Sequence, residues 1–243
     1  MTIDSKTETA GRTVFLYTEA SATAVFARRR GCVRALYYTD KRAALVEPWL
    51  SFLKEKNERV ERLSEEALLR LHHGATEGLL VETFRPDPKS PSYPEVLADQ
   101  RENKMLLFVD GLGDVALGEL AVHAVPAGFR EWILSERQIS PGETAYARAA
   151  GALEGVRIRR AHSLRHFLKD LRAHFLTIGL SRSAGKALEK LKPPRAPGRP
   201  VALVWSAPHS VSLPIELSVH MDDKPESMAL LFRILQASHN ALE

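Results

Sequence analysis

The chain of 243 residues predicts an α/β protein, with a mostly parallel sheet flanked by helices and preceded by a smaller α/β module. Three observations carry this. Strand-length apolar segments alternate with helix-length amphipathic ones along nearly the whole chain. The later strands, such as Met105-Leu106-Leu107-Phe108-Val109, are continuous apolar runs, which suits strands covered on both faces. Pro86, Pro88, Pro91 and Pro94 interrupt the alternation once, favouring extended backbone between two modules.

Residues 1–12 are polar, carry Asp4 and Glu8, and are expected to be a frayed, disordered tail that is neither signal nor transit peptide. Residues 13–84 form the first module. Val14–Tyr17 is its opening strand, and Glu19–Arg30 is a helix with Ala22, Val25 and Phe26 as its apolar stripe. Gly31 ends that helix, and Val33–Tyr38 is rich in strand formers. Lys41–Lys56 is a second helix that faces Leu45, Val46, Trp49, Phe52 and Leu53 inward, followed by a brief strand at Arg59–Leu63. Ser64 caps a third helix, with Glu65 and Glu66 suited to its positive end. That helix ends near His72-His73-Gly74, and Gly78–Phe84 returns as a strand.

Residues 85–103 are expected to be a proline-rich linker and helix, and residues 104–243 the second domain. Its strands are predicted at Lys104–Asp110, Glu131–Ser135, Val156–Arg160, Phe175–Leu180, Val201–Ser206 and Leu217–His220. Its helices are predicted at Leu117–Val125, Pro141–Ala150, Leu164–Ala173, Ala184–Leu191 and Glu226–Ala241. Pro193–Pro200 is a second rigid, basic loop.

Composition excludes several classes. No apolar run reaches the roughly 18–20 residues that span a bilayer. The single cysteine, Cys32, rules out an intramolecular disulfide and argues against a cysteine-based metal site, so a cytoplasmic location is expected. Net charge is +4, and its distribution says more than its size. Arg28, Arg29, Arg30 and Arg34 cluster early; Arg157, Arg159, Arg160, Arg165, Lys169, Arg172, Arg182, Lys186, Lys190, Lys192, Arg195 and Arg199 follow later among few acids. Such clusters neutralise phosphates and make RNA or DNA binding salt-dependent, although a single cluster is more often a solvated helix face.

Metal and hydrolase chemistry find little support. His72 and His73 are adjacent and point about 100° apart on a helix, so both rarely ligate one ion. His162 and His166 share a helix face, but only Asp170 stands near to complete a site. Ser181, Ser183 and Ser206 lack the G-x-S-x-G elbow of a hydrolase nucleophile. Asp110-Gly111-Leu112-Gly113-Asp114 ends a strand where open parallel sheets collect ligands, yet it has neither the full G-x-G-x-x-G nor a Gly-Lys-Ser/Thr ending.

Several segments together carry a family resemblance. They are Leu107–Asp114 with Leu117-Gly118, then Ala149–Leu153, then Ala202-Leu203-Val204-Trp205-Ser206-Ala207-Pro208, then Glu226-Ser227-Met228-Ala229. In the first module Leu16-Tyr17, Val33–Tyr37 and Leu71-His72-His73-Gly74 add to it. In order and spacing the chain resembles the SpoU (TrmH-type) RNA 2′-O-ribose methyltransferases over nearly all of residues 13–241. The resemblance implies a trefoil-knotted, mostly parallel C-terminal sheet, S-adenosylmethionine held in the knot, and a homodimer. It also implies a small ribosomal-protein-like domain that grips structured tRNA or rRNA.

The groups that do the family's chemistry are altered. Ala116 stands where the resemblance implies an Asn, and Val122 where it implies the Arg that helps activate the ribose hydroxyl. His123 lies beside Val122 and is the candidate catalytic base, since an imidazole accepts a proton near neutral pH. The Gly-Asn-Glu-Gly stretch becomes Ser206-Ala207-Pro208-His209, which loses an amide, a carboxylate and, at Pro208, a backbone N–H. Trp205 has the bulk to occupy adenine space. The family positions for cofactor contact are Val204, Trp205, Ser206, Val219, His220, Met221 and Met228; the candidate RNA-binding residues, taken from the basic clusters, are Arg28, Arg29, Arg30, Arg34, Arg195 and Arg199.

The expected function is therefore an RNA-binding member of this type with methyl transfer weak or lost. The alternative is an active S-adenosylmethionine-dependent methyltransferase with relocated catalytic groups, at His123, His209 or across a dimer. A purely structural partner-binding protein is the third reading. No metal is expected.

Overall fold

The computed structural model describes residues 13–85, 105–181, 186–187, 200–206, 217–220 and 225–240. These fall into two compact units, one drawn from Met1–Asp87 with Pro141–Gly155, the other from Pro88–Ser140 with Val156–Glu243. The tail at 1–12, the linker and helix expected at 86–103, and the basic loop at 193–199 lie outside the described residues.

In the first unit β1 (Thr13–Leu16), β2 (Val33–Tyr38), β3 (Arg59–Arg62) and β4 (Leu79–Phe84) form a sheet in the order β1-β4-β2-β3. β4 is antiparallel to β1 and β2, and β2 is parallel to β3. Helix α1 (Glu19–Arg29) starts where the Thr18 side chain accepts from the Ser21 N–H, and it buries the expected Ala22, Val25 and Phe26. Helix α2 (Ala43–Glu55) buries Val46 and Leu53, with Trp49 stacked on Phe26 at 4.2 Å between ring centres. Helix α3 (Glu65–Leu71) starts at Ser64, whose hydroxyl accepts from the Ala67 N–H at 3.2 Å.

One segment from the middle of the second half completes this unit. Pro141–Gly155 holds helix α5 (Glu143–Arg148) and a 3-10 turn at Ala152–Gly155, and it packs as a strap on β1 and α1. Four contacts fasten it. Ser21 Oγ donates to the Tyr146 carbonyl at 2.8 Å, and the Phe15 N–H donates to Glu143 Oε1 at 3.3 Å. His72 Nε2 meets Glu143 Oε2 at 2.9 Å, and the same ring accepts the Gly74 N–H at Nδ1, so the proton on this imidazole sits on Nε2 and is donated. The fourth contact is an ion pair between Arg29 and Glu154, whose side chains are 16% and 0% exposed.

That pair is supported on both sides. Arg29 Nη2 donates to Glu154 Oε1 at 2.8 Å, while Nη1 reaches the Phe84 carbonyl at 2.6 Å and Thr83 Oγ1 at 3.2 Å. Burial works against the guanidinium's charge, but Glu154 outweighs it and holds Arg29 above its ordinary pKa. Burial also pushes the Tyr146 phenol up and keeps it neutral beneath the cation. At Gly151 (φ +85°) an added Cβ would sit 2.8 Å from the Ala20 carbonyl oxygen and 2.9 Å from the Ala24 Cβ.

The second unit is one parallel sheet of β5 (Met105–Asp110), β6 (Glu131–Ser135), β7 (Arg157–Ala161), β8 (Leu176–Ser181), β9 (Lys186–Ala187), β10 (Val201–Ser206) and β11 (Leu217–His220). The order is β7-β6-β5-β10-β8-β11-β9, and every pair is parallel. β5 and β6 are buried at every residue, as continuous apolar strands between two helix layers should be. Helix α6 (Leu164–Leu171) covers one face through Leu164, Leu168 and Leu171, packed with Leu106, Phe108, Ile133, Ala202, Val204 and Phe175. Helices α4 (Asp114–Ala124) and α7 (Pro225–Asn240) pack on each other, and Phe232 of α7 meets Phe129 edge-on at 5.3 Å.

Most expected elements match within a few residues. The helix expected at Ala184–Leu191 does not: the described residues there, Lys186 and Ala187, pair with Val219 and His220 as β9. Helix-forming side chains yield to the open hydrogen-bonding edge of β11, whose backbone groups otherwise face no strand.

Breaking the strap's ion pair should therefore cost far more than a surface pair. Glu154→Ala leaves the Arg29 charge buried and is expected to lower unfolding free energy by about 3–5 kcal/mol, read from the urea midpoint. Gly151→Ala should act in the same direction through backbone strain and overlap, by about 2–3 kcal/mol. A fragment of residues 1–87 without the strap should show no cooperative urea transition.

Candidate active site

The strand order marks where a parallel sheet of this kind takes a ligand in the second unit. From β5 the chain moves outward to β6 and β7; β8, β10 and β11 all lie on the other side. The crevice at this reversal is the carboxyl end of the neighbouring β5 and β10, where Asp110 and Ser206 stand opposite each other.

Asp110 is 3% exposed, and its carboxylate is satisfied by neighbours on the same sheet edge. Ser135 Oγ donates to Oδ1 at 2.5 Å and Arg137 Nη2 to Oδ2 at 2.9 Å. Gly111 adopts φ +74° and turns the chain into α4. The turn is then pinned by Gln138, which is 1% exposed. Its Oε1 accepts the Leu112 N–H at 2.7 Å and its Nε2 donates to the Leu112 carbonyl at 2.8 Å. A side-chain amide thus does for Leu112 what a neighbouring strand would do.

The loop carrying these residues is held in turn. Arg160 Nη1, at the end of β7, donates to the carbonyls of Ser135 (3.0 Å), Glu136 (3.2 Å) and Gln138 (2.6 Å), and its Nη2 to Ser140 Oγ at 2.9 Å. The carboxyl edge over β5, β6 and β7 is therefore a connected polar network with two guanidiniums at its centre. The buried Glu131, which pairs with Arg159 at 2.5 Å and Arg157 at 3.6 Å, stands at the opposite, amino end of β6 and is outside this network. Ser135, Arg137 and Gln138 carry no sequence signal of their own as site residues, and Arg160 stands out there only as one member of a basic cluster. The rule that parallel sheets bind ligands at carboxyl ends was the signal available for the loop after Ser135.

The sequence-derived positions are scattered. Val204 is buried with Ala202 in the core against α6, because alternation along β10 turns both to that face; its side chain therefore faces the core. Trp205 points to the opposite face and is half-buried. Ser206 and His220 end their strands, and Val219 is fully buried. Met228 is half-buried on α7; Met221, His209, Arg195 and Arg199 lie outside the described residues. His123 occupies the last turn of α4, nine residues past Asp114, hence about 14 Å along the axis from the end facing β5. The structure does not bring His123 to Asp110.

The early arginines separate as well. Arg29 is committed to Glu154, Thr83 and Phe84, so burial removes it from an RNA-facing cluster. Arg30 stacks on Phe52 at 4.7 Å and Arg34 on Phe84 at 5.1 Å while pairing with Glu58 at 3.0 Å. Arg28, Arg30 and Arg34 are exposed. Among the described residues there is no group of three or more side chains able to hold a metal ion, and no helix long and apolar enough to cross a membrane.

Solved structures share this architecture across the whole chain. An rRNA methyltransferase from Sinorhizobium meliloti superposes with a TM-score of 0.64 at 16% identity, covering 99% of this chain and 92% of that one. The SpoU methyltransferase AviRb from Streptomyces viridochromogenes, in complex with the cofactor AdoMet, gives 0.66 at 11% identity, covering 98% and 94%. The fold is that of the SpoU methyltransferases. An RNA 2′-O ribose methyltransferase gives 0.63 at 14% identity over 99% and 93%. No family model matches the sequence, and no curated protein matches it. The SpoU fold is thus kept at low sequence identity.

The pin on the β5–α4 turn should be measurable in this SpoU-type crevice. Gln138→Leu leaves two part-buried backbone groups of Leu112 without their side-chain partner, at a cost of about 2 kcal/mol. Amide hydrogen exchange at Leu112 should quicken by about 30-fold while β8 exchange stays unchanged.

Proposed function

We propose that the chain is a SpoU-type RNA-binding protein in which S-adenosylmethionine-dependent 2′-O-methyl transfer is weak or lost. The observation that supports this best is a mismatch between frame and side chains. The frame aligns with RNA methyltransferases over nearly the full length, two of them named as bound to AdoMet. The positions that the resemblance gives to catalytic or cofactor-holding groups carry Ala116, Val122, Ala207 and Pro208. Val122 is 40% exposed on α4 and cannot move a proton or hold a charge.

The donor set at the end of β10 does not fit the cofactor as that family holds it. Val204 faces the core, Ala207 has no side-chain amide, and Pro208 offers no N–H. Losing one such polar group costs ~10²–10³-fold in rate. Losing several that act as a unit removes the reaction, although their effects do not add.

The same reading takes structured RNA, tRNA or rRNA, as partner, with the first unit as the gripping module and a cytoplasmic location. The return of β10 between β5 and β8 is consistent with the trefoil knot. A second copy of the chain is the partner for α4 and α7, where Val115, Val122 and Leu230 are 45%, 40% and 42% exposed. Val122→Asp should then shift the chain from dimer to monomer in light scattering.

One observation favours the alternative, an active enzyme with relocated groups. Arg137 places a guanidinium on Asp110 beside the crevice, where a cation would stabilise a developing negative charge. Calorimetric titration with S-adenosylmethionine and S-adenosylhomocysteine separates the two readings. The expected result is no binding tighter than about 100 μM, equivalent to about 5.5 kcal/mol. Tighter binding of both, lost in Arg137→Ala, favours the enzyme.

A further inference from the structure

We infer that RNA reaches the β5–β10 crevice across the β7 edge of the second unit, over the exposed face of α6 and the Ser135–Ser140 loop. This rests on the RNA-binding reading above and assigns that reading a surface.

Charge distribution points there. Residues 157–172 hold Arg157, Arg159, Arg160, Arg165, Lys169 and Arg172 against the single acid Asp170, whereas the whole chain has a net charge of only +4. Helix α6 is sharply two-sided. Leu164, Leu168 and Leu171 pack into the core, and Arg165, His166, Lys169 and Arg172 are exposed on the outside. Arg165, Lys169 and Arg172 follow i, i+4, i+7 spacing, a stripe about 10 Å long, over which a helical nucleic-acid strand presents about three phosphates.

The stripe leads somewhere. α6 begins just after the carboxyl end of β7, so Arg165 lies on the same sheet edge as the polar network. Moving inward, Arg160 caps the loop after β6, and Arg137 from that loop reaches Asp110 at the end of β5. Arg137 keeps 63% of its side chain exposed while one nitrogen is anchored. Arg160 is spent on loop carbonyls and acts as a positioning residue. Strands spaced about 4.8 Å apart put the crevice about 12 Å from β7. A phosphate backbone laid on α6 therefore continues over Arg137 into the crevice, with cations at each step.

Acidic protein would meet the same charges, but the neighbouring crevice and the fold favour a polynucleotide. The phosphate spacing also suits the stripe.

The test is anisotropy of labelled bulk tRNA and rRNA fragments titrated with wild-type chain, R165E/K169E, the single variant K169E and the charge-matched single variant R130E. Arg130 is exposed just before the amino end of β6, in the same unit and away from the stripe. At about 0.1 M salt R165E/K169E should lose tenfold or more in affinity, with a log–log salt slope flatter by about 1.4–1.8, the value of two phosphate contacts. R130E should bind within about threefold of wild type. Unchanged binding by R165E/K169E, or a loss in R130E equal to that in K169E, overturns the assignment while leaving RNA binding standing. Failure of the wild-type chain to bind either RNA overturns the RNA reading and this surface with it. Should R165E/K169E melt early, R165Q/K169Q gives the same readout, with the slope still flattened and a smaller affinity loss.

Discussion

The parallel insertion of β10 between β5 and β8 is the constraint on which the second unit depends. Its six residues are in register with β5 along their whole length and with β8 along five. A strand bonded on both edges and covered on both faces must carry no unpaired polar group and little bulk. Val201-Ala202-Leu203-Val204 meets that requirement, and Ala202 and Val204 complete the core beneath α6. The same placement creates the reversal of strand order and hence the crevice. Fold and pocket position are therefore one property, and it does not require any catalytic side chain.

That separation explains how the same frame is built at 11–16% identity to the solved structures. Core positions need only apolar residues of suitable volume. The crevice loops need specific amides, carboxylates and glycines, and Ala116, Val122 and Pro208 supply none of them. On the β5–β6–β7 side Asp110, Ser135, Arg137, Gln138 and Arg160 form a satisfied network.

The strands of the sheet were legible because burial on both faces leaves a run such as Leu106–Val109 with one physical reading. Helix starts at Ser64 and the stripe of α1 were legible because capping and 3.6-residue periodicity act over a few neighbours. The strap was not, because its meaning lies in pairs such as Arg29–Glu154, 125 positions apart. Arg29 looks like its exposed neighbours in sequence, and only the fold reveals it as buried. Arg137 and Gln138 were hidden for the opposite reason: Ser135–Ser140 resembles any polar turn until the strand order identifies the carboxyl edge. β9 shows tertiary context overriding local preference, since Lys186 and Ala187 suit a helix yet complete a sheet edge.

The most direct measurement is a filter assay that reads binding and chemistry together. Unmodified tRNA and rRNA transcripts are incubated with the full chain and S-adenosylmethionine carrying a tritiated methyl group. RNA retained with the protein, and no label in the recovered RNA above a protein-free control, is the result expected of a SpoU fold that has kept its partner and lost its reaction. Label transferred to a ribose 2′-oxygen at a rate proportional to protein concentration contradicts it.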